Sequence, residues 1–254
     1  MTEKKAGSIN GFIGVAVIFA LIALGVYLFV FKEQLVLPII LIVLAIILAT
    51  GIVIVQPNQA QVLTFFGRYL GSIRESGLHL TVPLVSRHKV SLRVRNFTSN
   101  KLKVNDVQGN PIEIAAVVVY KVVDSAQAIF NVDDYEEFVG IQSEAGIRHI
   151  ASKYPYDNFS DEGGISLREN TETVINELVA EVQDRLKNAG VEVLEARITH
   201  LAYSAEIANA MLQRQQAQAI VAARRQIVEG AVSMAQMAIA QLEKEGIIEL
   251  DDER

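Results

Sequence analysis

Residues 11–55 read GFIGVAVIFALIALGVYLFVF, then KEQ, then LVLPIILIVLAIILATGIVIV. Neither apolar run, 11–31 or 35–55, holds a charged residue, and only Lys32, Glu33 and Gln34 lie between them. Each run has about 20 residues, the length that crosses a hydrocarbon core of about 30 Å at about 1.5 Å per residue. So short a polar link predicts a tight helical hairpin. Pro38 falls in the first turn of the second helix, where its missing N–H costs little. The first run is longer than the core of a signal peptide, and no small-residue cleavage site follows it. Both helices are apolar on every face, unlike a surface helix of a soluble domain. A hairpin returns the chain to its starting side, whether its helices span fully or dip in re-entrantly.

Charge is distributed unevenly along the chain. Residues 1–105 carry 11 Lys/Arg and 3 Asp/Glu, whereas residues 106–254 carry 12 and 26, so the net charge of −6 hides a basic membrane-adjacent half. Lys4 and Lys5 precede the first apolar run, and Arg68 and Arg74 follow the second; by the positive-inside rule the main domain is expected in the cytoplasm, as part of a two-helix, multi-pass membrane protein. The acidic second half argues against nucleic-acid binding. Hydrophobic residues make up 51% of the chain but aromatics only 7%, so the apolar content is aliphatic, as membrane or Ala-rich helices require. There is no cysteine, which excludes disulfides, thiolate metal sites, cysteine nucleophiles and palmitoylation.

Beyond the apolar runs, residues 61–66 and 87–95 read as strands. In the second, Val90, Leu92 and Val94 alternate with Lys89, Ser91, Arg93 and Arg95. Residues 112–120 (IEIAAVVVY) predict a more buried strand after the turn signal Gln108-Gly109-Asn110-Pro111. Asp133 or Asp134 is expected to cap a helix ending near Tyr154. A second helix is expected over 164–189, with Val174, Ile175, Leu178, Val182 and Leu186 on one face and Gly190 closing it. Residues 191–201 read as a further strand. This order predicts an α+β domain with helices on one side of a small antiparallel sheet.

Residues 205–244 hold no proline and a single glycine, Gly230, and are rich in Ala, Gln and Met. They predict one helix about 60 Å long. Ile220, Ile227 and Met234 recur at heptad spacing, and small side chains between them permit close helix–helix approach. No domain of this size buries such a length, so neighbouring copies are expected to supply the packing surface. Met211, Ile220, Ile227 and Met234 are the candidate contacts.

An ordered series of motifs runs through the chain. The second apolar run enters Gln56-Pro57-Asn58-Gln59-Ala60; Phe66-Gly67-Arg68-Tyr69 follows, then Ser76-Gly77-Leu78-His79-Leu80-Thr81-Val82-Pro83. Next come Asn105-Asp106-Val107-Gln108-Gly109-Asn110-Pro111, then Val118-Val119-Tyr120-Lys121-Val122 with Asp124, and Glu144-Ala145 leading to Arg148. Glu206-Ile207-Ala208-Asn209-Ala210-Met211 opens the long helix, and Arg214-Gln215-Gln216-Ala217 continues it. In this series the chain resembles the SPFH (band-7, prohibitin-homology) superfamily, the stomatin, prohibitin and flotillin proteins, over about residues 51–240. The Trp-Gly common in that family before its last strand is Ala189-Gly190 here. The resemblance implies an SPFH fold and assembly of many copies into rings or cages on a membrane. It also implies a scaffold that organises membrane microdomains or membrane proteins, or alternatively a regulatory subunit controlling a membrane-bound protease or channel.

The expected organisation is a tail (1–10), two membrane helices (11–55), an SPFH domain (56–203), an oligomerisation helix (204–245) and an acidic tail (246–254). The lipid bilayer and further copies of the chain are the expected partners. Arg68, Arg74, Arg87, Lys89, Arg93, Arg95, Lys101 and Lys103, with Glu75 the one acid among them, are candidates to meet anionic headgroups, at about 1 kcal/mol for each well-placed charge. No cofactor, metal or catalytic set is expected. Ser86-Arg87-His88-Lys89 matches S-x-x-K, but it enters a strand and lacks the partner motifs. His79, His88, His149 and His200 have no metal-ligand spacing. Asn96-Phe97-Thr98 and Asn158-Phe159-Ser160 match glycosylation sequons, which a cytoplasmic domain does not expose to the enzyme.

Overall fold

The computed structural model describes residues 3–31, 36–157 and 164–245. Helix α1 (Gly11–Phe31) is long and apolar enough to cross a membrane. Helix α2 (Val36–Ala49) lies against it; a Cβ placed on Gly25 would stand 3.2 Å from Ile42 and 3.4 Å from the Pro38 carbonyl. The link expected to form the hairpin turn lies outside the described residues.

The second apolar run does not stay helical over 35–55. Helix α2 stops at Ala49, and the Thr50 hydroxyl donates to the Ile47 carbonyl at 2.7 Å. Ile52–Val55 (IVIV) are β-branched throughout, which favours a strand. They form β2, whose partner is β5 (Gly77–Leu80), antiparallel, with Ile52 opposite Leu80 and Val55 opposite Gly77. At 14 residues, α2 is about 21 Å long, short of a hydrocarbon core of about 30 Å.

Residues 3–10, expected as a tail, form an arm laid along the domain. Strand β1 (Ile9–Asn10) takes the free edge of β5, giving the order β1-β5-β2. Ahead of it, Ser72 N donates to the Lys4 carbonyl at 2.8 Å and Ala6 N to the Ser72 carbonyl at 3.1 Å, burying Ala6. The approach depends on Gly71: at φ +146°, a Cβ there would sit 2.6 Å from Ala6 N.

A second sheet has the order β4-β3-β6, with β3 (Gln59–Phe65) between β4 (Arg68–Ile73) and β6 (Ser86–Ser91). The third is built on β9 (Pro111–Val122), paired antiparallel with β7 (Arg95–Thr98), β8 (Leu102–Asn105) and β10 (Val191–Tyr203). The strand expected over 87–95 is therefore two strands in different sheets, β6 and β7. The alternation lapses with it: Val90 is buried, but Val94 is exposed.

Helix α3 (Ser125–Phe130) is capped by Asp124. Helix α4 (Tyr135–Lys153) is capped by Asp134, whose carboxylate accepts from the Glu136 and Glu137 amides. Helix α5 (Thr171–Leu186) starts later than the expected 164. Ser166 and Asn170 there bond each other instead, Ser166 N donating to Asn170 Oδ1 at 3.1 Å and Asn170 N to the Ser166 carbonyl at 3.2 Å. Its inward face is Val174, Leu178, Val182 and Leu186, all buried, and Gly190 follows in the left-handed region at φ +65°. The core forms where Ile112, Ile114, Val118 and Tyr120 of β9 meet Val139, Ile147 and Ile150 of α4 and this face of α5. Gly146 sets the α4–α5 spacing, since a Cβ there would stand 2.8 Å from Val182 Cγ2. Beyond β10 runs α6 (Ala208–Lys244), 37 residues or about 55 Å.

Candidate membrane and assembly surfaces

Strand β9 separates the two ends of the molecule. Its last residue, Val122, is two residues from Asp124, whose helix α3 touches the arm; its first, Pro111, accepts from Ser204 N at 2.9 Å, at the root of α6. The span between them is about 36 Å at about 3.3 Å per residue.

At the arm end, the Glu3 carboxylate accepts from the Ser125 amide at 3.3 Å and the Ser125 hydroxyl at 2.7 Å, and pairs with Arg74. Arg74 also donates to the Val123 carbonyl. Lys5 donates to Glu75, and this hydrogen bond is the main reason the Glu75 carboxyl titrates below the usual range. The polar string Glu3-Lys4-Lys5 shows no periodicity, so nothing in it announced this docking.

At the end of α2, Thr50 is the meeting point. Its hydroxyl accepts from Leu84 N at 3.1 Å, its carbonyl accepts from the Arg87 guanidinium, and the neighbouring Gly51 carbonyl accepts from Thr81 N at 2.9 Å.

The structure divides the eight candidate basic residues. Arg74, Arg95 and Lys103 are paired with Glu3, Glu136 and Glu206. Arg87 bonds the end of α2, and Arg68 lies on the opposite flank of β3, where Leu63 opposes Arg87 and Phe65 opposes Arg68. Lys89 lies further along β6, and Arg93, Lys101 and Lys103 lie on the way into or within the third sheet. Of the eight, Arg87 is thus the one bonded to the end of α2, with Arg68 on the opposite flank of β3.

At the far end, Asp106 is buried and accepts from Gln108 N at 2.9 Å, Asn110 N at 2.8 Å, Asn110 Nδ2 at 3.0 Å and Tyr156 N at 3.1 Å. This is the turn expected at Gln108-Gly109-Asn110-Pro111. Asp157 ties in the root of α6, accepting from Arg168 at 3.0 Å and from Gln215 of α6 at 3.2 Å. The Tyr203 ring stacks on Tyr156 with centroids 4.0 Å apart. Burial first, then the charges of Asp157 and Asp106, push the Tyr203 hydroxyl up to about 12.

No residue of α6 is buried. Ile220, Ile227 (71% exposed) and Met234 (63%) stand in the open with Val221, Val228 and Met237, and Met211 is half-buried at the root. Among the described residues no cluster of three or more His, Asp or Glu is placed to hold a metal ion. His79 Nε2 is 2.9 Å from the Glu75 carbonyl, and His200 lies 3.8 Å from Glu113.

The family model for the SPFH domain / Band 7 family matches residues 53–245, well over half of the chain. The chain belongs to the SPFH domain / Band 7 family. This SPFH protein is similar to an uncharacterized protein of Methanocaldococcus jannaschii, 25% identical over 174 residues, covering 68% of this chain and 82% of that one. It is also similar to an uncharacterized protein of Methanothermobacter thermautotrophicus, 24% identical over 181 residues, covering 71% of this chain and 54% of that one. The match begins at Val53, inside β2, so α1, α2 and the arm lie outside the shared domain.

Proposed function

We propose that this SPFH protein is a membrane-anchored scaffold whose copies associate side by side through α6 into a ring or cage. In this reading α1 and α2 hold the domain at the bilayer, with the domain on the cytoplasmic side, and the assembly organises the membrane or the proteins within it. The observation that carries it is α6: a helix of 37 residues with no buried residue and a row of exposed aliphatic side chains at heptad spacing. An isolated helix with that surface is a poor solute, and Ala223 and Gly230, which follow Ile220 and Ile227 by three residues, leave room for a neighbour's backbone. Tethering in a membrane raises the local concentration of copies and favours such packing.

Deletion of residues 205–254 tests it. The truncated chain is expected to remain in membranes and to sediment in mild detergent as a much smaller particle than the full chain. Unchanged sedimentation overturns the reading. Control of a membrane protease or channel is the alternative form of the same role; stoichiometric recovery of one such protein with the full-length chain from native membranes distinguishes it from a scaffold acting on lipid.

A further inference from the structure

Two bulky residues are held in left-handed backbone just beyond one end of the β3–β6 pair: Phe66 at φ 46° and Leu84 at φ 63°. Such residues rarely adopt this region, and here both are turned outward, Phe66 85% and Leu84 59% exposed, with Val82 exposed beside them. Register puts both at the same end of the β3–β6 pair. Thr64 opposes Ser86, so Phe66 and Leu84 are each two residues beyond the same pair, and Leu84 N bonds Thr50 at the end of α2.

We propose that Phe66, Val82 and Leu84 form an apolar collar that sinks below the headgroups around the point where the hairpin leaves the bilayer, with Arg68 and Arg87 at the phosphate level. The inference rests on the membrane reading above. Three observations choose lipid as the occupant. The collar is continuous with the apolar surface of α2 through Thr50. It is free of negative charge: residues 34–74 contain no Asp or Glu, and Glu75 is the one acid between residues 34 and 105. The hairpin is also short for a bilayer. The first turn of α1 is spent on the domain, with Gly11 against Leu78 and Gly14 against Leu80, and Gly25 faces Pro38 and Ile42. Among the described residues that register leaves about 22 Å of paired α1 and α2 beyond the domain, against a hydrocarbon thickness of about 30 Å. A collar embedded among the upper acyl chains makes up part of the difference.

The chain has no cysteine, so single-cysteine variants of the full-length protein report one site each. F66C, V82C and L84C, with L24C in α1 and V107C at the Asp106 turn, would carry an environment-sensitive fluorophore in phosphatidylcholine–phosphatidylglycerol vesicles. Lipids spin-labelled near the glycerol or near the chain end supply the quenching. The collar sites are expected to be quenched by the shallow label severalfold more than Val107, and Leu24 by the deep label. Quenching at Leu24 with collar sites as unquenched as Val107 overturns the collar and leaves the anchor standing. No quenching at Leu24 overturns the membrane reading and the collar with it. Three collar sites keep the test decisive if one variant fails to fold.

Discussion

Glu3 joins Asp124 at the start of a helix more than a hundred residues away: its carboxylate takes both the amide and the hydroxyl of Ser125, the first residue of α3. Ser125 is fully buried and the Glu3 side chain is 17% exposed, so water cannot replace the pair easily. Glu3→Ala is expected to lower stability by about 1 kcal/mol, from the lost bonds to the Ser125 amide and hydroxyl, the hydroxyl keeping Ser72 Oγ at 3.1 Å. Thermal unfolding of the detergent-solubilised protein checks the size. Faster amide exchange confined to α3 and the arm would place the loss.

Asp106 is the second polar anchor, with four donors converging on its two oxygens. Asp106→Ala leaves two backbone amides of the turn and that of Tyr156 without an acceptor. The expected cost is about 3 kcal/mol or more, since hydrogen bonds to a charged group contribute about 1.5–3 kcal/mol each and their losses overlap. Asp106→Asn keeps one acceptor oxygen and is expected to cost clearly less. Chemical denaturation of the two variants side by side tests the order.

Substitutions on α6 separate assembly from folding. Ile227→Asp and Met234→Asp alter exposed residues that the core does not use. Both are expected to shrink the sedimenting particle while leaving the domain's unfolding midpoint within about 0.5 kcal/mol of the parent. Gly230→Ala gives a contrasting readout. On a solvated helix it stabilises by about 1 kcal/mol. Where a neighbour's backbone packs against Gly230, the same methyl weakens assembly instead.

Tyr203 supplies a pH prediction. Its hydroxyl has no hydrogen-bond partner among the described residues, and its pKa is raised from 10.0 to about 12. The folded value exceeds the unfolded one, so the unfolded chain gives up its proton first. The contribution is complete below about pH 10 and is lost as pH rises toward about 12. Tyr203→Phe is expected to be nearly neutral at pH 7 and to flatten the fall in stability between those limits. Tyr135, also raised to about 12 chiefly by burial, keeps part of the slope in that variant.

Long elements with one wet face were legible in the sequence. The α5 face, the Asp134 cap, the closing Gly190 and strands β9 and β10 all carry period or punctuation that survives folding. Short strands did not. β5 is only GLHL and acquires its identity from two flanking strands brought from elsewhere in the chain. β2 was hidden because IVIV prolongs an apolar helix without a break in hydropathy, and only its β-branching distinguished it. The basic residues of the strands were visible as a group. Which of them are neutralised was not, because Arg74, Arg95 and Lys103 find acids 71, 41 and 103 positions away. The strand expected over 61–66 was legible, but the outward aim of Phe66 depends on a backbone angle that composition does not encode.

The arm also imposes an order of events on biogenesis. Ile9 and Asn10 pair with a strand that starts at Gly77, and Glu3 waits for Ser125. While a ribosome is still adding those residues, the beginning of the chain has no seat. In the membrane reading proposed above, the apolar helices are made before the arm has its seat, and the arm locks down afterwards. A fusion partner joined at the arm meets a site where Gly71 lets the backbone of Lys4 and Ala6 come close, whereas one joined past α6 does not enter this final step.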